Sequence, residues 1–448
     1  MIKRAFIRVA CLLFLFCLIC SASLPVGALS YTGLPSTDAA ESVYFYNIDA
    51  GELLLKKGGN TKIAPASSVK IMTGLIACEM LGDKLDTEVT IKKGMISASK
   101  GTSMKLTEGD TLTVRDLMYG ALCSGFNDAA YALASVCCKN PSDFVAKMNE
   151  RAAELGALNT YYTNPTGYDD KNAYTTLEDT ATIAKAAIKN ELYMEITSTI
   201  SKKIDFKNGR DSLTVYNRNG LISAYYTKDF TNNYAKGLIA GVTDLGGHCV
   251  ITNAVIRGSS YLCIVMGGKE SGGVIGSYSI ANELIEYAVS NLGVISLMDE
   301  GTYVCSIPVD HAQSGMTESD TEPTIKVRTA REATAFLPLG TDIASRVSYR
   351  YYLFSERLSA PVEPGTVVGA IDFYCDGEHI ESVPLVVNAR VDSNPLLVGI
   401  SSMRSAIISR TAIISLICFI CLTPIWHCLL NGKKRRYKNV KEIKLKRL

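Results

Sequence analysis

The chain has 448 residues, with 46 Lys/Arg against 44 Asp/Glu and a formal net charge of +2. That length accommodates two or three domains, and so even a charge balance lacks the basic field that nucleic-acid binding requires. The four histidines (His248, His311, His379 and His427) share no metal-ligand spacing, so neither a metal site nor another cofactor is expected.

In chain order, a basic start (Lys3, Arg4, Arg8) leads into the apolar run 9–20 and then into small residues ending Val26-Gly27-Ala28. This predicts a signal peptide over 1–28. Two β-rich runs within 43–56 flank Asp49-Ala50-Gly51-Glu52 and predict a hairpin. The apolar run 69–81 after Pro65 predicts a helix. Residues 110–190 read as mostly helical, notably 129–136 and 144–155, and are punctuated by the turn Asn164-Pro165-Thr166-Gly167. Strand-like runs at 247–257 and 261–266 precede a helical run at 281–290. Residues 29–298 therefore predict one α+β domain with its helices grouped in the middle.

Beyond about residue 301 the pattern changes to short β-rich runs (303–309, 324–327, 365–374, 381–387) separated by polar turns. A small all-β sandwich over 299–395 is expected, with 310–323 as an exposed loop. A stalk (396–410) leads to 411–430, twenty residues without a formal charge. At ~1.5 Å per residue they would cover ~30 Å, enough to cross a bilayer as a transmembrane helix. The tail 431–448 carries nine Lys/Arg against one Glu. By the positive-inside rule the tail is cytoplasmic and 29–410 lies outside, so a cell-membrane location with an extracytoplasmic body is expected. Six of the fourteen cysteines lie in the two apolar ends. The other eight sit mostly in apolar runs without CxxC spacing and read as buried small hydrophobes in preference to disulfides.

The chemistry points to Ser67-Ser68-Val69-Lys70. Ser67 at the start of the predicted helix and Lys70 one turn later share a face, where an uncharged amine can take the serine proton. Ala64-Pro65-Ala66-Ser67-Ser68-Val69-Lys70-Ile71-Met72-Thr73 closely resembles the nucleophile segment of the serine D-alanyl-D-alanine carboxypeptidases, the low-molecular-mass penicillin-binding proteins. The likeness continues through Lys105-Leu106-Thr107-Glu108-Gly109-Asp110, Asn127-Asp128-Ala129-Ala130 and Asn164-Pro165-Thr166-Gly167-Tyr168. It returns in Leu358-Ser359-Ala360-Pro361-Val362 and Val383-Pro384-Leu385-Val386.

This resemblance implies a penicillin-binding/β-lactamase-like transpeptidase domain followed by the all-β domain. It also implies an enzyme that removes terminal D-alanine from peptidoglycan stem peptides, open to β-lactams as covalent inhibitors. Ser67 would be the nucleophile, Lys70 the general base and Asn127 the asparagine of the second motif. The amides of Ser67 and Val242 would form the oxyanion hole. Substrate would be held by Gly125, Ile239, Ala240, Gly241, Val242 and Thr243.

Two motifs depart from the family pattern. S-x-N reads Gly125-Phe126-Asn127, with Ser124 one residue early, and K-T-G reads Ile239-Ala240-Gly241, with Lys236 three residues upstream on the opposite strand face. Loss of the motif lysine is expected to raise the Lys70 pKa and to weaken the grip on the substrate carboxylate. The replacements leave a second reading open: a pseudoenzyme that binds wall peptides or serves as a scaffold. A β-lactamase shares S-x-x-K but fits the appended β domain and the apolar C-terminal segment poorly.

Overall fold

The computed structural model describes residues 31–59, 61–96, 98–313 and 322–405, and, further on, 411, 413–415, 417–424 and 426. The predicted signal peptide and basic tail lie outside the described residues. The chain divides into two compact units. One runs to Ile295 and includes Phe336–Thr341; the other comprises Ser296–Ala335 and the chain from Asp342 onward.

The first unit is built on a five-stranded antiparallel sheet: β1 (Ser42–Asn47), β2 (Glu52–Lys57), β3 (Ala235–Thr243), β4 (Gly247–Ile256) and β5 (Ser259–Gly268). They are ordered β2-β1-β5-β4-β3. The β1–β2 hairpin closes at the predicted turn, where Asn47 Oδ1 accepts the Ala50 amide at 2.8 Å. The central strands β1, β5 and β4 are largely apolar on both faces because both are covered. Val43, Phe45, Ala240, Val250, Ala254, Cys263 and Val265 share a core with Ala281, Leu284, Ile285 and Ala288 of the helix Gly276–Asn291. The alternate residues Tyr44, Ile239, Cys249, Ile251, Leu262, Ile264 and Met266 share the other core with the middle helices. This period-two division is what a strand's geometry dictates.

Four of those helices are α1 (Val69–Leu81), α2 (Asn127–Cys137), α3 (Pro141–Glu154) and α4 (Leu177–Ile188). Their starts carry the expected chemistry. Pro141 opens α3 behind an Asn140 cap, and the Thr176 hydroxyl caps α4 by accepting the Asp179 amide. Helix α1 is buried nearly all round, from Val69 to Cys78 and at Leu81, so it runs through the interior of the helical layer.

The second unit is all-β. Its sheet contains β6 (Tyr303–Asp310), β7 (Thr324–Thr329), β8 (Val347–Leu353), β9 (Leu358–Ser359), β10 (Val367–Cys375) and β11 (Glu378–Val387), ordered β8-β10-β11-β7-β6-β9. Ile307, Val309, Ile325, Val327, Ile371, Phe373, Val383, Leu385 and Val387 form its core. Edge strands β8 and β9 both fall outside the runs that the sequence pattern picked out.

All eight body cysteines are free thiols. Five of them (Cys78, Cys123, Cys249, Cys263 and Cys375) are buried, as small hydrophobes. The segment 411–430, expected to be a transmembrane helix, is described only in part. Among the described residues no helix is long and apolar enough to cross a membrane.

Candidate active site

The residue preceding the serine has an unusual conformation. Ala66 has φ +47°, a left-handed backbone that costs a non-glycine residue about 1–2 kcal/mol. The short 3₁₀ turn Ala66–Ser68 then feeds directly into α1. Ser67 and Lys70 are both buried, Lys70 to 3% exposure. The Lys70 amine donates to the Thr166 carbonyl at 2.6 Å.

Thr166 lies in the predicted Asn164–Gly167 turn, and Asn164 explains why the turn holds its shape. Its Oδ1 accepts from the Thr166 amide, the Thr166 hydroxyl and the Gly167 amide at 2.8–3.1 Å. One helical turn after Lys70, the Thr73 hydroxyl donates to the Pro165 carbonyl at 2.7 Å. Two residues on one face of α1 thus grip one turn. Gly167 allows the close approach: it has φ +73°, and a Cβ there would fall 1.8 Å from the Ala66 carbonyl oxygen.

Burial, and behind it the positive charge of Arg218, lower the Lys70 pKa to about 7, with a small opposing pull from Cys249. The expected effect of losing the motif lysine is therefore offset. Burial supplies the larger part, and a cation is still nearby.

Asn127 opens α2, with its amide donating to the Thr102 carbonyl at 2.7 Å and its side-chain nitrogen donating to the Lys100 carbonyl. Its Oδ1 is buried and has no hydrogen-bond partner among the described residues. Asp128 beside it accepts from the Ser103 hydroxyl and from the amides of Met104 and Leu106, which pins the 101–106 loop against the helix start. Gly125 has φ +71° and its carbonyl accepts the Thr102 hydroxyl at 3.1 Å. Ser124 does not replace it, since its buried hydroxyl is committed to the Tyr216 carbonyl at 2.6 Å.

On β3, Gly241 faces the serine so closely that a Cβ would stand 2.2 Å from Ser67 Oγ. Ile239 and Ala240 are buried and Val242 is exposed. Lys236 is exposed, and the register shifts between it and Ile239.

All nine residues singled out from the sequence (Ser67, Lys70, Gly125, Asn127, Ile239, Ala240, Gly241, Val242 and Thr243) line one cleft of about 330 Å³. The cleft also holds groups that sequence reasoning passed over. Arg218 lines it, as do Thr102, Tyr168, Asp169 and Asp244. Cys249, paired opposite Gly241 on β4, backs the serine; burial pushes its thiol up to about 11, while Lys70 and the Ser67 hydrogen bonds pull it down. The arrangement offers a serine, a buried amine able to exchange a proton near neutrality, an unsatisfied amide oxygen and one free guanidinium.

Residues 31–270 match the family model described as D-alanyl-D-alanine carboxypeptidase, and 319–393 match that of the penicillin-binding protein 5 C-terminal domain. The chain is 26% identical over 351 residues to D-alanyl-D-alanine carboxypeptidase DacF of Bacillus subtilis, spanning 77% of this chain and 84% of that one. It is 31% identical over 243 residues to the D-alanyl-D-alanine carboxypeptidase of Streptomyces sp. (strain K15), spanning 51% of this chain and 81% of that one. Among solved structures it is similar to penicillin-binding protein 5 from Haemophilus influenzae. The TM-score is 0.57 at 25% identity, over 80% of this chain and 99% of that one.

Proposed function

The chain belongs to the D-alanyl-D-alanine carboxypeptidases, the low-molecular-mass penicillin-binding proteins, and from that premise we propose that it still releases D-alanine from peptidoglycan stem peptides through an acyl-enzyme on Ser67. The observation that carries this reading is Lys70, a buried amine with a pKa of about 7 held on the Thr166 carbonyl one helical turn from the serine. A base so poised is free for a large fraction of the time at neutral pH.

Ser67 Oγ attacks the penultimate D-Ala carbonyl as Lys70 takes its proton. The amides of Ser67 and Val242 receive the oxyanion. Collapse breaks the peptide bond, and the proton passes from Lys70 to the departing D-alanine amine. Water then attacks the ester, losing its proton to Lys70, and as the acyl–Oγ bond breaks Lys70 returns that proton to Ser67 Oγ and the shortened peptide is released. Asn127 Oδ1 accepts a substrate amide hydrogen, which satisfies an otherwise orphaned buried acceptor. A β-lactam would acylate the same serine.

The motif changes set the rate. A charge-assisted hydrogen bond is worth about 1.5–3 kcal/mol, roughly ten- to over a hundredfold in rate. Slow turnover is therefore expected of a cleft with Ile239 and Ala240 in the motif positions. The full-length protein should release D-alanine from a stem pentapeptide slowly, and Ile239→Lys/Ala240→Thr should raise that release at least about tenfold. Gly125→Ser is the poorer restoration, because φ is +71° there, a left-handed backbone that strains any residue carrying a Cβ. Gly125, Ile239 and Ala240 favour the second reading, a wall-peptide-binding pseudoenzyme. No D-alanine from either the parent or the restored variant would establish it.

The chain is further proposed to lose residues 1–28 as a signal peptide, to cross the membrane once through 411–430 and to keep its basic tail in the cytoplasm. The uncharged run and the nine basic residues after it support this. Protease added to wall-stripped cells should remove the body and leave a short membrane-held C-terminal fragment. A fully protected body would reverse the orientation.

A further inference from the structure

We propose that Arg218 is the carboxylate anchor of this cleft, the group that selects peptides ending in a free D-alanine over internal or amidated ones. The inference rests on the reading that the cleft receives D-Ala-D-Ala peptides.

Asn217, Arg218 and Asn219 form a short connection, bent at Arg218, whose two asparagines are buried and committed to the protein. Asn217 Nδ2 donates to the carbonyls of Thr197 and Thr199, and Asn219 Nδ2 donates to the Gly237 carbonyl on β3 at 2.9 Å. The Arg218 backbone is fixed on both sides. Its amide donates to the Cys123 carbonyl at 2.8 Å, and its carbonyl accepts the Tyr278 hydroxyl at 3.0 Å. With both neighbours tied inward, the Arg218 side chain projects into the cleft that holds Ser67 and Lys70.

The guanidinium has no ion pair and no hydrogen bond among the described residues; its one aromatic contact is the Tyr226 ring, 5.5 Å from Cζ to the centroid. Two carboxylates also line the cleft, and neither pairs with it. Asp169 accepts the Leu245 amide, and Asp244 is exposed. Lys70 registers its charge, so the positive potential reaches the reacting end of the cleft. A planar guanidinium offers paired N–H groups that match a carboxylate, and a half-buried cation without a partner is poised to gain one from a ligand.

Gly125 borders the arginine stem: a Cβ at that position would lie 3.4 Å from Arg218 Cδ, an ordinary van der Waals contact. With Ile239 and Ala240 unable to bind an anion, the anchoring charge falls to Arg218.

The test reads binding without turnover. In the full-length protein carrying Ser67→Ala, a tripeptide ending D-Ala-D-Ala and its C-terminal carboxamide are titrated calorimetrically. The acid is expected to bind at least about tenfold more tightly than the amide. Arg218→Gln should bring that ratio to about one, Arg218→Lys should retain part of it, and Ile239→Lys in the Arg218→Gln background should restore it. Thermal melting checks that each variant is folded, and Arg218→Lys carries the comparison should Arg218→Gln fail that check. An acid preference that survives Arg218→Gln overturns the proposal, as does equal binding of acid and amide by the parent. Failure of both peptides to bind at millimolar concentration sinks the substrate reading itself. A chain that binds with the expected preference but releases no D-alanine sinks only the catalytic reading.

Discussion

Ser67→Ala is expected to abolish covalent attachment of a labelled β-lactam, and Lys70→Ala to slow it by about 10²–10⁴-fold, the usual contribution of a positioned general base. Both residues are buried, one turn apart at the start of α1, and line the same cleft. The pH profile separates a base from a merely structural lysine. With a pKa of about 7, about one tenth of the Lys70 amine is free at pH 6 and about nine tenths at pH 8. Acylation should therefore climb about tenfold per pH unit below 7 and level off above it. Burial and the Arg218 charge both disfavour the protonated amine, so Arg218→Gln removes one of the two and moves the midpoint to higher pH. A flat profile between pH 5.5 and 8.5, or labelling that survives Ser67→Ala, would remove Ser67 and Lys70 from the chemistry.

The sequence made the nucleophile legible because S-x-x-K on a helix is a local pattern, and its spacing alone puts both side chains on one face. The central sheet was legible for a related reason: strands buried on both faces are rich in apolar residues at successive positions, as 261–266 is throughout and 247–257 is in part. Strand β8 escaped because Val347–Leu353 exposes Ser348, Tyr349, Arg350, Tyr351 and Tyr352 in succession, leaving no alternation to detect. Arg218 escaped for another reason. It lies far along the chain from Ser67, and its meaning depends on which cleft the chain brings it to. The only local hint was Asn217-Arg218-Asn219, two amide side chains able to tie down the backbone around a projecting cation. The pKa of Lys70 was likewise misjudged from motif chemistry, since its main cause, complete burial beneath the Asn164–Gly167 turn, is tertiary.

Gly167→Ala is expected to cost the site more than any other single methyl group. The left-handed φ of +73° alone penalises alanine by about 1–2 kcal/mol. The larger effect is steric. The new Cβ would sit 1.8 Å from the Ala66 oxygen and 2.7 Å from its carbon, both backbone atoms that cannot rotate aside. The turn must therefore lift from the nucleophile segment, or Ala66 must leave its own left-handed conformation and carry Ser67 with it. Either movement separates Thr166 from Lys70 and misaligns the base. Overpacking of this kind costs about 1–3 kcal/mol more in stability, for a fall in melting temperature on the order of 10 °C. A displacement near 1 Å at the reacting groups costs about a hundredfold in rate. The acylation rate of Gly167→Ala should fall by about that factor even at temperatures where the variant is fully folded. A variant that melts lower yet acylates at the parental rate would show that the turn serves only the fold. The hold of Thr166 on Lys70 would then be incidental to the chemistry.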